Sequence, residues 1–211
     1  MERLQRTFGA QFGHPRGLFG RIVSRIMRRG NAPLNLWMIE LLKVGPRDRI
    51  LEVGFGPGVA LTELLTRASS GFIAGVDRSE LMVRQARSRH ANAIAGKRLE
   101  IRQGDANSLP YDGATFDKVC GSHVIYFWPD AVATVGELRR VLRPGGTLAL
   151  AYQERERMPT RSAVGLSRAG ARLFGPGEVE EVVRAAGFKD VRVETRGSPD
   201  GPAGFCVLAA G

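Results

Sequence analysis

Residues 50–58 read ILEVGFGPG, an apolar run that carries Glu52 and ends in glycines at alternate positions, Gly54, Gly56 and Gly58. Glycine at that spacing lets a backbone lie directly against a nucleoside where a Cβ would collide, and it tolerates the positive φ of a tight turn. Helix-forming residues follow at 59–66, so strand, glycine loop and helix succeed one another in the order a nucleotide fingerprint demands. A dinucleotide fingerprint, GxGxxG, needs glycine at the position of Val59, so a nicotinamide or flavin ligand is disfavoured. No Gly-Lys-Ser/Thr follows Gly58, which disfavours a triphosphate as well. A second apolar run ends in Asp77, roughly 20 residues past the loop. An acid at the tip of the second strand of a doubly wound sheet accepts hydrogen bonds from ribose hydroxyls. The competing reading of Asp77 is a helix cap for the segment beginning at Ser79.

Glu52 placed two residues before GxGxG resembles motif I of the class I S-adenosylmethionine (SAM) dependent methyltransferases. The stretch GDANSLPYDGATFDKV, residues 104–119, is similar to the family's next landmark. By that resemblance Asp105 meets the adenine amino group and the backbone N–H of Ala106 a ring nitrogen. LRPGG at 142–146 then ends a helix and turns into a strand. The resemblance spans roughly residues 35–152. It implies SAM as methyl donor and S-adenosylhomocysteine as product, held by Glu52, Gly54, Phe55, Gly56, Gly58, Asp77, Arg78, Asp105, Ala106 and Ser122.

A sulfonium methyl is already electrophilic, so such an enzyme has mainly to hold a nucleophile in line with the S–CH₃ bond and exclude water. A general base is needed when the acceptor must lose a proton. The segment GSHVIYFWPD at 121–130 supplies two catalytic candidates, His123 and Tyr126. His123 titrates near neutrality when unperturbed; the alternative is that His123 and Ser122 merely shape the cofactor pocket. Tyr126, Phe127 and Trp128 read equally as an apolar wall or as core. Tyr152 and Glu154, at the mouth of the fifth strand, are candidates for orienting an acceptor. Metal-dependent catechol methyltransferases need clustered carboxylates beyond the fourth strand, where this chain has Asp130, so no metal is expected.

These residues require a scaffold. Strand signals at 49–54, 71–77, 99–103, 116–122 and 146–152 alternate with helical stretches at 59–67, 79–92 and 129–142. A loop over 154–175, a helix over 176–186 stopped by Gly187, and strands at 191–195 and 204–209 complete the pattern. Such alternation predicts an α/β fold, a doubly wound parallel sheet with helices on both faces. With the resemblance, the expectation is a Rossmann-like, seven-stranded, mostly parallel sheet whose last strand is antiparallel, preceded by an N-terminal helical extension. Residues 1–211 read as a single methyltransferase domain, with an arm and helices over 1–46 and the core over 47–211.

Composition suits one globular unit of 211 residues, 43% hydrophobic and 25% charged. No apolar run approaches the roughly 20 residues of a membrane helix, and a cytoplasmic location is the expectation. Cys120 and Cys206 lack metal-ligand spacing, so neither a zinc site nor a disulfide is expected. Net charge is +10, and the first 30 residues hold seven arginines against Glu2. Within 16–29, Leu18, Phe19, Ile22, Val23, Ile26 and Met27 recur at helical spacing with Arg21, Arg25 and Arg28 opposite, which predicts a basic amphipathic helix. It reads as a lid, a peripheral anchor on an anionic membrane surface, or a nucleic-acid contact. His14, in the glycine-rich arm before it, is a weaker site candidate. The favoured function is methyl transfer to a small-molecule acceptor, an acidic or phosphorylated one being an option. Phospholipid N-methylation, RNA methylation and non-catalytic binding of SAM or S-adenosylhomocysteine are the alternatives.

Overall fold

The computed structural model describes residues 31–168, 170–197 and 203–211. The segment 16–29, the arm before it and His14 lie outside the described residues.

The central strands form because their residues are apolar on both faces. β1 (Arg49–Val53) and β2 (Phe72–Asp77) are buried along almost their whole length, the signature of parallel strands covered twice. With β3 (Leu99–Gln103), β4 (Phe116–Ser122), β5 (Leu142–Tyr152), β6 (Asp190–Gly197) and β7 (Ala203–Ala210) they make one seven-stranded sheet in the order β3-β2-β1-β4-β5-β7-β6. β7 runs antiparallel to both β5 and β6, and the remaining pairings are parallel. The expected architecture is therefore present.

Helices cover both faces. Helix α1 (residues 31–42), α2 (Val59–Arg67) and α3 (Glu80–Arg89) bury Met38, Ile39, Leu42, Leu61, Leu64 and Met82 against Ile50, Ile73 and Cys120. A short helix, α4 (Ala91–Ala95), follows α3. On the other face α5 (Ala131–Val141) presents Ala131, Thr134, Val135, Leu138 and Val141, a helical stripe directed at the sheet. Ser79 caps α3 by accepting from Met82 N, and Asp130 caps α5 by accepting from Ala133 N.

Two local expectations are corrected. The region 154–175, expected as a loop, contains a single 3₁₀ turn (Arg155–Arg157) and a helix, α6 (Thr160–Arg168). Its small residues and one mid-helix glycine hid the period from sequence. The expected helix over 79–92 ends at Arg89, and the chain restarts as α4 after His90. A last helix, α7 (Glu178–Ala185), starts from Gly177 at a φ of +77° and packs Val179, Val182 and Val183 inward. β5 begins earlier than expected: Leu142 pairs with Phe116, the intervening turn bulges with Gly145 at a φ of +75°, and pairing resumes at Thr147.

The strand order reverses between β1 and β4. A crevice opens at such a switch point, outside the carboxyl ends of the strands, and there the loops after β1 and β4 meet.

Candidate active site

The loop after β1 owes its shape to its glycines. Gly54, Gly56 and Gly58 have φ values of +63°, +50° and +73°, all left-handed. Gly54 N–H donates to Val76 O at 2.7 Å, which ties the loop to the neighbouring strand. A Cβ on Gly54 would lie 2.3 Å from Cγ1 of Val124, so the loop after β4 occupies the space this glycine leaves. Gly58 plays a different part from the one expected. It does not line the cleft but forms the N-cap of α2, with Arg89 and His90 on its outer side.

Asp77 serves as both ligand candidate and cap. Its Oδ2 accepts from Gly56 N at 2.8 Å and its Oδ1 from Ser79 N at 2.8 Å, so one carboxylate holds the glycine loop and the start of α3. Burial raises its pKa more strongly than these two donors lower it. Glu52 is 3% exposed, and its Oε2 has no partner among the described residues. Burial, and secondarily the Asp77 charge, push its pKa well above the ordinary carboxylate range. Arg78 and Asp105 face each other at 3.9 Å across the rim, both substantially exposed, and Ala106 is buried beside them. An exposed pair of this kind adds little stability.

Ser122 ends β4 and His123 follows it. The Oγ of Ser122 is buried without a partner. His123 adopts a φ of +56°, unusual for a non-glycine residue, and its N–H donates to Ala151 O at 2.9 Å. Burial lowers the imidazole pKa to about 4. All these groups border one cleft of about 780 Å³, in the upper part of the roughly 300–1,000 Å³ range of small-ligand pockets. The cleft continues past Phe127 and Trp128 to Gln153, to Ser162 and Leu166 of α6, and to Gly204 of β7.

Three sequence candidates are not brought to the cleft. Tyr126 is 1% exposed, and its hydroxyl donates to Gln153 O at 3.0 Å while accepting from Gln153 N at 2.5 Å. It pins the end of β5 and has no free hydroxyl for catalysis. Tyr126→Phe is expected to cost about 1–2 kcal/mol in chemical denaturation, because two backbone groups lose their partner; unchanged stability would contradict this role. Tyr152 is buried and stacked on Phe205, and Glu154 is buried as well. Gln153, just past the end of β5, borders the cleft between them. Sequence reasoning missed Asn35 of α1, 8% exposed and bordering the cleft. Its signal was present: a polar residue in register with the apolar stripe Met38, Ile39, Leu42.

The residues suit a ligand with a cationic amine and an adenosine. An acceptor carboxylate lies buried without a partner, the glycine loop exposes backbone, and acids stand at the tips of β2 and β3. A methyltransferase-domain model matches residues 51–150. YdaC of Bacillus subtilis, described as an uncharacterized methyltransferase, is 31% identical over 173 residues, covering 82% of this chain and 89% of that protein. The chain belongs to the class I SAM-dependent methyltransferases.

A demethylmenaquinone methyltransferase of Roseiflexus castenholzii is 31% identical over 167 residues, 68% of each protein. Other matching curated methyltransferases are longer, and the chain spans 40 or 41% of two of them. Among solved structures, a SAM-dependent methyltransferase from Aquifex aeolicus superposes with a TM-score of 0.67 at 22% identity, covering 83% of this chain and 88% of that one. SAM is accordingly the cofactor of this methyltransferase. Among the described residues no group of three or more His, Cys, Asp or Glu could hold a metal, and no helix is long and apolar enough to cross a membrane.

Proposed function

We propose that this methyltransferase transfers the methyl group of SAM to a small-molecule acceptor by in-line displacement, with the acceptor seated over the carboxyl ends of β4 and β5 and the amino end of β7. The continuity of a single cleft carries this reading. The glycine loop, Asp77 and Asp105 border its β1 to β3 side, and His123, Phe127, Gln153, Leu166 and Gly204 extend it across the other side of the sheet. Glu52, Asp77, Asp105 and the loop backbone hold the cofactor, which supplies an electrophilic methyl. The chain's own work is to fix donor and acceptor in one geometry and to exclude water. Phe127, Trp128 and Leu166 give the acceptor side apolar walls. Helix α1 completes the site over the core, which is supported by its seating: Arg196 donates to Pro33 O at 3.3 Å, and Leu34 packs on Gly204.

His123 faces the acceptor as a neutral imidazole at pH 7, because a pKa near 4 leaves it charged only in acid. It serves as a hydrogen-bond acceptor for the attacking hydroxyl or amine. Methyl transfer should show no acid limb near pH 6.5 from this group, and the loss due to its protonation should begin as pH falls toward about 4. His123→Gln should lower kcat on the order of 10²-fold while leaving S-adenosylhomocysteine affinity within threefold. An unchanged kcat would remove His123 from the chemistry.

The function is tested by radiolabelled methyl transfer from SAM to three fractions in parallel: small molecules that include prenylated quinols, lipid extract and total RNA. The Roseiflexus relative puts demethylmenaquinone first in the small-molecule set. Label in the small molecules is expected. Label confined to lipid or RNA would overturn the acceptor class, and S-adenosylhomocysteine binding without transfer to any fraction would favour a non-catalytic role.

A further inference from the structure

The charged side chains that border the cleft are divided unequally. Glu52, Asp77, Arg78 and Asp105 all stand on its β1 to β3 side. Beyond Ser122, across β5, β7 and β6, the charged residue on the lining is Arg196, among the described residues. Glu154, an acid close to this side along the chain, is buried outside the cleft and accepts from the backbone N–H of Gly177. The guanidinium of Arg196 is anchored at the rim, where its Nη1 donates to Pro33 O at 3.3 Å and Pro33 itself borders the cleft. Arg196 lies opposite Gly204 in the ladder of β6 and β7, and Leu34 of α1 fills the space that a Cβ on this glycine would take, so both positions face α1. A guanidinium has five donors in a rigid fork, and one bond to a carbonyl leaves most of them to match a carboxylate or a phosphate.

Placement sets the shape of the acceptor as well as its charge. Ser122 pairs with Ala151, Tyr152 with Phe205 and Arg196 with Gly204. The end of β4, where His123 stands, and Arg196 are therefore three strand spacings apart, about 14 Å between backbones. Gln153 and Gly204 lie between them on the lining. A cationic group on the acceptor is disfavoured here, because no carboxylate on this side offsets its desolvation and Arg196 repels it. A net charge of +10 draws anions toward the protein as a whole. We infer that the acceptor is an elongated acid, with its hydroxyl at His123 and a carboxylate or phosphate held by Arg196, so that Arg196 determines acceptor specificity. This rests on the proposed transfer of methyl groups to a small molecule. A neutral acceptor of the same length gains nothing from the guanidinium.

Radiolabelled methyl transfer from SAM to matched phenols that differ in one distal group, a carboxylate, a phosphate monoester or a methyl ester, tests this assignment in wild type, Arg196→Gln and Arg196→Glu. Wild type should prefer the acids over the ester by about tenfold or more in kcat/KM, through KM, as expected for hydrogen bonds to a charged group. Arg196→Gln should bring that ratio close to one, and Arg196→Glu should turn it against the acids. S-adenosylhomocysteine affinity, read by calorimetry, reports whether α1 stays seated once the bond to Pro33 is lost. Equal turnover of acid and ester by wild type, better turnover of a neutral prenylated quinol, or a ratio unchanged in Arg196→Gln would each overturn the inference. So would a fall in acid and ester together with weakened S-adenosylhomocysteine, which marks a structural role. If no phenol is methylated, titration of the same acid and ester into wild type and Arg196→Gln saturated with S-adenosylhomocysteine decides: acid binding that is lost in the variant supports the inference, and no preference of wild type for the acid overturns it. Label confined to lipid or RNA would instead overturn the small-molecule reading itself, a result obtained with wild type alone and separate from any effect at Arg196.

Discussion

Glu52→Gln is expected to weaken S-adenosylhomocysteine binding by about 10- to 100-fold, the range for losing a charged partner of a buried hydrogen bond, while raising the stability of the ligand-free protein. Both effects have one cause. The carboxylate is buried, one of its oxygens is unpartnered, and Asp77 adds like charge. Its folded pKa therefore lies well above the ordinary carboxylate range. The folded state then binds more protons than the unfolded one, and stability falls as pH rises from about 4.5 through the raised folded value. Glutamine keeps the volume and removes the charge, so it removes this slope. Thermal melts of the ligand-free protein at pH 5 and pH 8 provide the measurement: wild type should lose more on going to pH 8 than Glu52→Gln. Asp77, also raised, contributes a slope of the same sign that remains in the variant. Equal slopes in the two proteins, or unchanged ligand affinity, would refute the role given to Glu52.

Gly54→Ala is expected to damage fold and binding together. The new Cβ would lie 2.3 Å from Cγ1 of Val124, and the backbone there has a φ of +63°. Val124 has little room to retreat: its Cγ2 is already where a side chain on Gly121 would begin, with Val53 on the other side of that glycine. Overpacking typically costs about 1–3 kcal/mol and the left-handed backbone about 1–2 more. The loop must shift, and with it the Gly56 N–H that Asp77 holds, so S-adenosylhomocysteine should bind more weakly and methyl transfer should slow by about a hundredfold or more, the order seen when positioning is lost by about 1 Å. The double variant Gly54→Ala/Val124→Ala separates the two penalties. It relieves the contact and leaves the φ cost, so urea denaturation should recover about half of the lost stability. No recovery would show that the contact with Val124 is not the source.

The cofactor side of the site was legible because its determinants are local. Each of the left-handed positions in the loop is a glycine, the acids stand at strand tips, and buried parallel strands announce themselves as apolar runs. The acceptor side was not. α6 was read as loop because its small residues and central Gly165 blur the helical period, yet Ser162, Gly165 and Leu166 all border the cleft. Tyr126 looked like a reactive phenol, and its hydroxyl is taken by Gln153, 27 residues away in sequence. His123 could be named as a base candidate, but its depressed pKa is a property of burial among elements distant in the chain.

By itself the sequence determined the order of the strands and of most helices, the methyl donor and the candidate residues for holding it. Those properties depend on residue types within a few positions of one another, and neighbours along the chain remain neighbours in space. Tertiary structure alone decided which polar groups are left unpartnered around the cleft, which aromatic residues wall it and which are merely packed. That assignment comes from β4, β5, β7, α1 and α6 meeting at one edge of the sheet. Burial and pairing there depend on contacts across more than a hundred positions, as when Arg196 secures Pro33. No local pattern encodes such contacts, so ILEVGFGPG identifies the donor, while the shape of the cleft beyond it is set by the whole edge of the sheet.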